Sequence, residues 1–204
     1  MLRTIGFVLI CTLALAACNN TESVEQESFG MTERFEVNKK TGLKDGDFEK
    51  FNPEGALFEK ANYKDDILQG ERVIYHPTGN IEIKETYVDG ILDGPFMTYY
   101  QDASIELDGQ YSGGVMTGKW KRYYKNGELM EEVTFADNLE NGPFVEYHEN
   151  GNLKAEGQYK SGDREQGLLK LYDENGDLYK KMECDDGICQ TTWTRPGYES
   201  EGNE

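Results

Sequence analysis

The chain has 204 residues, 37% of them hydrophobic, with 39 acidic against 21 basic side chains and a formal charge of −18. Such a surplus of carboxylates repels phosphate and argues against nucleic-acid binding and against polybasic attachment to anionic lipid, both of which need clustered Lys and Arg. Thirteen Tyr and nine Phe in so polar a chain predict a thin, aromatic core in place of a thick aliphatic one.

At the N-terminus, Met1 to Arg3 supply a short positive start and Ile5 to Ala17 an apolar run. The run is too short to span a bilayer and fits a secretory signal, residues 1–17. Its end, Leu15-Ala16-Ala17-Cys18, resembles the bacterial lipobox, at which the cysteine thiol is acylated and the chain is cut before it. Ala14, Ala16 and Ala17 could also serve an ordinary signal cleavage, but a cysteine directly at the end of the run favours acylation. The expected location is the cell envelope, lipid-anchored through Cys18. Asn19 is no aspartate retention signal and leans the assignment towards the outer membrane or cell surface. Loss of residues 1–17 removes one arginine and no acid, which takes the formal charge to −19. Residues 18–30, acidic and poor in apolar side chains, read as a flexible tether. Residues 31–43 read as a degenerate half-repeat capping a repeat array that starts at residue 44.

In that array the period is 24 residues. Gly46, Gly70, Gly94, Gly118, Gly142 and Gly167 are spaced by 24, 24, 24, 24 and 25 residues. Five residues after each comes an aromatic: Phe51, Tyr75, Tyr99, Tyr123, Tyr147 and Tyr172. Eleven residues after each comes a branched aliphatic: Leu57, Ile81, Ile105, Leu129, Leu153 and Leu178. The seventeenth position holds Tyr63, Tyr87, Tyr111, Phe135, Tyr159 and finally Cys184. Between these lie polar runs such as Asn126-Gly127 and Asn150-Gly151, with Ala103 breaking the glycine pattern once. Asn-Gly between apolar segments signals a hairpin with a type I′ turn.

The second strand of each unit alternates apolar and charged residues, the period of a sheet with one dry face. Small residues at Ala61, Gly109 and Gly157 leave gaps across which neighbouring rings could lie. In the first strand the aromatic two residues after the anchor (Phe48, Phe96, Trp120, Phe144) has parity opposite to the one at five. A bulge near the strand start, or a curled sheet, would reconcile them. A second turn, as in Asp89-Gly90 or Ser161-Gly162, returns the chain to the next anchor, so the six anchor glycines are expected at turns. The tail, residues 195–204, reads as disordered.

Chemistry-bearing candidates are few. Cys184 and Cys189 remain as a pair once Cys11 leaves with the signal and Cys18 carries the anchor, so a structural disulfide is expected in an oxidising compartment. Asp173 to Asp177 begins like a calcium loop but has Leu178 at its sixth position and no glutamate at its twelfth, so it reads as a turn. His76 and His148 follow the repeating tyrosine in a slot that elsewhere holds Asn52, Tyr100, Tyr124 and Asp173, and read as solvated. No zinc triad, no nucleophile elbow and no cofactor motif is present. The expectation is a non-enzymatic protein with no catalytic residue, metal or cofactor.

Gly-x-aromatic-x-x-Tyr, then Asn-Gly, Leu and Tyr at this period resembles the bacterial MORN-variant repeat and the YwqK-family antitoxin group. The likeness runs from Lys44 to Cys189 and is best around Asp93 to Phe96, Thr117 to Gly127 and Asn141 to Tyr147. It implies an all-β chain of tandem β-hairpin, MORN-like repeats forming an elongated, twisted single-layer antiparallel meander, with six repeats of two strands over residues 44–194. It further implies a protein-binding module of antitoxin or immunity type with an unknown protein partner and room for a homo-oligomer. The alternative is a structural envelope scaffold without a dedicated ligand. A lipid-anchored exported protein could neutralise only an envelope-acting toxin.

Overall fold

A computed structural model describes residues 20–198; the signal stretch, Cys18 and residues 199–204 lie outside the described residues. The chain is all-β, a single open sheet in which strands pair antiparallel with their neighbours in sequence. β1 (Thr21–Ser28) and β2 (Met31–Asn38) form a first hairpin. Then come β3 (Lys44–Phe51) with β4 (Leu57–Lys64), two-residue β5 (Ile67–Leu68), and β6 (Gly70–Tyr75) with β7 (Ile81–Val88). Two-residue β8 (Ile91–Leu92) precedes β9 (Gly94–Tyr99) with β10 (Ile105–Ser112), and β11 (Val115–Tyr123) pairs with β12 (Leu129–Ala136). The series ends with β13 (Leu139–Tyr147) and β14 (Leu153–Tyr159), β15 (Gly167–Tyr172) and β16 (Leu178–Asp185), and an added strand β17 (Ile188–Thr194). Six hairpins therefore carry the six expected repeats, and β17 exceeds the expected two strands per repeat.

Both ends depart from the sequence reading. Residues 21–28 are not a flexible tether: they pair over their full length with β2, from Thr21 opposite Asn38 to Ser28 opposite Met31. Backbone hydrogen bonding and charge pairs such as Arg34 Nε with Glu25 Oε2 at 2.6 Å hold this strand, which is why apolar content did not reveal it. Residues 31–38 are accordingly half of a complete hairpin and not a half-repeat. Within the tail assigned as disordered, Arg195 to Tyr198 fold back. The Arg195 guanidinium reaches Asp173 Oδ2 at 2.6 Å, and the Tyr198 ring stacks on Tyr179 at 4.3 Å between centroids.

The two kinds of turn exchange the roles expected of them. In the Asn-Gly turns only the glycine is left-handed, as at Gly127 (φ 88°), with Gly127 N–H bonded to the Tyr124 carbonyl and Tyr124 N–H to that of Glu128. That is a type I turn closed by a left-handed residue, and Ala103 is held in the same conformation at φ 68°. Type I′ geometry, with two consecutive residues at positive φ, belongs instead to the inter-repeat turns, as in Asp65-Asp66, Asp137-Asn138 and Asp186-Gly187.

The anchor glycines sit inside or at the start of strands, not in turns. Phe35 opposes Phe48 and Val37 opposes Lys44, while Val133 opposes Phe144 and Phe135 opposes Glu140, so two extra residues enter each junction around the glycine. At Gly142, φ is 129° and an added Cβ would lie 3.2 Å from the Cβ of Thr134. Each anchor is also the cross-strand partner of the seventeenth-position residue, Gly46 opposite Tyr63 and Gly142 opposite Tyr159. At the other end of every hairpin one further residue is inserted, since Lys50 opposes Glu59 but Phe51 opposes Leu57.

No residue is inserted in the first strand between the second and fifth positions, so plain alternation puts the two sets of aromatics on opposite faces. One face carries a ladder built from the residue two after each anchor, its small cross-strand partner and the seventeenth position. It includes Phe48, Ala61, Trp120, Val133, Phe144 and Leu169, each no more than 9% exposed. Trp120 stands edge-on to Tyr111 and Phe135, and Phe144 stacks on Tyr159 at 4.2 Å. The small residues do admit the rings: an added Cβ at Gly109 would overlap the Trp120 indole. The repeating aromatics Phe51, Tyr75, Tyr99, Tyr123, Tyr147 and Tyr172 lie on the opposite face, and these six are only half-buried. Tyr99 O–H donates to Met97 Sδ and Tyr172 O–H to Glu156 Oε1, both partners on that second face. Of the aliphatics paired with them, Ile105 is exposed. Replacing Gly109 by alanine is expected to displace the Trp120 ring and destabilise the fold by about 1–3 kcal/mol, read as an earlier denaturation midpoint together with altered tryptophan emission.

Candidate interaction surfaces

The repeats are fastened to one another along both long edges of the sheet. Four of the six residues that follow the repeating aromatic, among them His76 and His148, which the sequence reads as solvated, donate to the carbonyl of the tyrosine one repeat on. Tyr100 O–H reaches the Tyr123 carbonyl at 2.7 Å and Tyr124 O–H that of Tyr147 at 2.8 Å. His76 Nε2 lies 2.9 Å from the Tyr99 carbonyl and His148 Nε2 3.0 Å from that of Tyr172. A carbonyl only accepts, so both imidazoles carry their proton on Nε2. Asparagines of the same turns add a second rung, Asn126 Nδ2 to Glu149 O at 2.9 Å and Asn150 Nδ2 to Glu174 O at 2.7 Å. On the other edge, the N–H groups of Gly90, Gly114, Gly162 and Gly187 bond to carbonyls of the preceding repeat. At the last repeat Asp173 has no successor, and Arg195 takes that place. A recurring polar residue one step after the tyrosine was the available signal, but its varied chemistry concealed a shared geometry.

Cys184 and Cys189 are bonded as a disulfide across the β16–β17 pair, with their Cα atoms 4.0 Å apart. Cys184 is 2% exposed and closes the C-terminal end of the ring ladder beside Phe144, Ala155 and Leu169.

One repeat breaks the ladder. Arg72 stands where its neighbours have a ring, and Glu85 where they have a small residue. Arg72 Nε bonds Glu59 Oε1 at 2.6 Å and its Nη1 bonds Glu85 Oε2 at 3.0 Å, while Tyr87 O–H donates to Glu85. Glu59 and Glu85 are only 8% and 9% exposed. Burial pulls the guanidinium down, and its hydrogen bonds to the two carboxylates more than reverse that, holding it above its ordinary value. This triad separates the Phe35–Phe48–Tyr63 group, over which Lys44 Nζ sits 4.6 to 5.1 Å from Phe48 and Tyr63, from the Phe96–Tyr111–Trp120 group. Further along the same face, burial and the facing Glu146 raise Glu131, and burial and Asp163 raise Glu140.

The second face is charged and grooved. A groove of about 890 Å³ crosses β1 to β6 and is bounded by residues including Arg34, Glu36, Asp47, Lys60, Val73 and Tyr75. A smaller depression of about 410 Å³ lies between β13 and β15, around Val145, Glu156, Leu168 and Lys170. In it Glu156 accepts from Lys170 Nζ at 2.8 Å and from Tyr172 O–H at 2.7 Å. These bonds hold the Glu156 carboxyl below its usual value, while burial and that carboxylate push the Tyr172 phenol up to about 12. Neither surface assembles a nucleophile, a base and an oxyanion donor; both offer shape, charge and half-buried apolar groups to a ligand.

A family model described as the MORN repeat variant matches residues 44–65, 68–89, 116–137, 140–161 and 165–183. The unmatched stretch between 89 and 116 holds the repeat in which Ala103 replaces glycine. No curated protein matches the chain.

Arg72→Ala would leave Glu59 and Glu85 buried without a cation and is expected to cost about 3–5 kcal/mol in chemical denaturation. Combining Arg72→Phe, Glu59→Ala and Glu85→Gly, the residue types other repeats use, should recover most of that loss. Because the fold holds Glu131 above its ordinary value, ionising it opposes folding at neutral pH. Glu131→Gln is expected to raise the melting temperature at pH 7, and the gain should fade as pH drops through the ordinary glutamate range, where the native carboxyl is already protonated.

Proposed function

The chain belongs to the MORN repeat variant family, and on that premise we propose that it is a non-catalytic lipoprotein, anchored to the cell envelope through Cys18, that binds a protein partner through its repeat sheet in an antitoxin or immunity role. One observation carries the reading. The sheet is a single layer whose ring ladder is buried only by its own neighbours and whose tyrosine face stays half-buried, and no second layer covers either face among the described residues. A layer of this kind completes its burial by taking another polypeptide. The stitched edges support the same reading, since a surface whose repeats cannot splay is pre-organised and loses little entropy on binding. A formal charge of −18 gives long-range attraction to a cationic partner. For a lipid-anchored protein the opposing toxin would have to act in the envelope.

Photo-crosslinking residues placed at Tyr99 and Tyr147 in living cells are expected to give a discrete protein adduct, whereas turn positions such as Asp89 and Glu149 should not. Absence of an adduct at every face position would remove the dedicated partner and leave the structural scaffold. Cys18→Ala is expected to abolish incorporation of labelled fatty acid and move the protein from the membrane to the soluble fraction. Retention in the membrane without label would overturn the anchor.

A further inference from the structure

We propose that the groove across β1 to β6 on the charged face is the docking channel for an extended segment of the partner that carries lysine or arginine and, further along the same side, an apolar residue. The inference rests on the protein-binding reading above and names the chemistry of what binds. At about 890 Å³ the groove is large enough to take several side chains.

Its charge is unbalanced in a way the smaller depression is not. Along its outer row Arg34 is paired with Glu25 at 2.6 Å and Lys60 with Glu49 at 2.9 Å, and Glu71 at its margin is paired with Lys84 from outside the groove at 2.6 Å. The inner row holds Glu36 and Asp47, whose carboxylates accept hydrogen bonds from neutral groups, the Thr21 hydroxyl at 3.2 Å and the Asn62 amide at 3.2 Å, while Lys60, whose charge also acts on Asp47, is bonded to Glu49. Asp47 is exposed and Glu36 half-buried, so both remain open to a cation from outside. In the smaller depression Glu156 already has Lys170 as its cation.

The same groove ends in apolar surface, Val73 at 8% exposure beside the Tyr75 ring. An occupant therefore gains most if it presents positive charge over Glu36 and Asp47 and an aliphatic side chain over Val73. Neighbouring strands lie about 4.8 Å apart and side chains on one side of an extended segment about 6.7 Å apart, a difference that the long, flexible stem of lysine or arginine can span, so a segment laid across the strands can set cations over Glu36 and Asp47 and an apolar side chain further along over Val73. A helix would present its charges three or four residues apart over a wider cylinder than one row of this sheet offers.

The test uses the full-length chain purified in detergent and three labelled peptides of about eight residues whose odd positions, one side of an extended chain, carry two residues of lysine, glutamine or glutamate followed by two valines, with serine at the even positions. Fluorescence anisotropy should show the lysine peptide binding at least about tenfold tighter than the glutamine peptide, with affinity falling as salt rises. Glu36→Gln combined with Asp47→Asn should weaken the lysine peptide by about tenfold, while Glu132→Gln combined with Glu183→Gln, on the same face outside the groove, should leave it unchanged. Circular dichroism of both variants shows whether the sheet is retained, and competition with unlabelled peptide on the native chain serves as a variant-free measure. Equal binding of the glutamine peptide, or equal loss in both double variants, would overturn the proposal, the second by reducing the attraction to net charge alone. Either result would leave the protein-binding reading standing if crosslinked adducts still form at Tyr99 and Tyr147.

Discussion

The structure depends on backbone pairing between strands adjacent in sequence. A single layer has no opposing sheet or helix against which to bury a face, so no hairpin here is held by depth of core. Each is held by its two neighbours, through the ladder of N–H and C=O groups, through rings that reach across one strand to fill the gap left by a small residue, and through turn side chains that reach one repeat on. Stability in such an array is a sum of nearest-neighbour terms. The ends are then the weak points, and each is capped by a different device: an acidic hairpin with paired charges before the first repeat, and a disulfide, an added strand and the Arg195–Asp173 pair after the last.

Inserted residues do as much as the period to define the surface. The single residue inserted at each hairpin end lies on the second strand and brings the aliphatic at eleven opposite the tyrosine at five, while the aromatic at two keeps the other face by plain alternation. The consequence is a two-sided ribbon. Rings and small residues make a continuous ladder on one face, and tyrosines alternate with salt bridges on the other. Because the second face keeps its charge pairs at the surface, departures from pairing stand out there, as at Glu36 and Asp47.

The Glu59–Arg72–Glu85 triad shows how the pattern tolerates exchange. An arginine of roughly the reach of a ring occupies the aromatic slot, and its charge is answered by carboxylates on both flanking strands. The ladder is interrupted in apolar character but not in packing, and the interruption divides the face into separate aromatic groups.

The 24-residue spacing, the alternation in the second strand and the Asn-Gly runs by themselves determined an all-β array of six hairpins from residue 44, because period and turn composition are local properties of a chain. Which face the aliphatic at eleven occupies was not legible, since parity counted along the second strand fails where the backbone takes an extra residue, and the partner strand decides where that happens. For the same reason Thr21–Ser28 looked like a tether: its glutamates bring no apolar signal, and only the presence of β2 beside it supplies the hydrogen bonds that make it a strand. The shared role of His76, Tyr100, Tyr124 and His148 was hidden likewise, because a carbonyl 23 or 24 residues away becomes a neighbour only once the repeats are stacked.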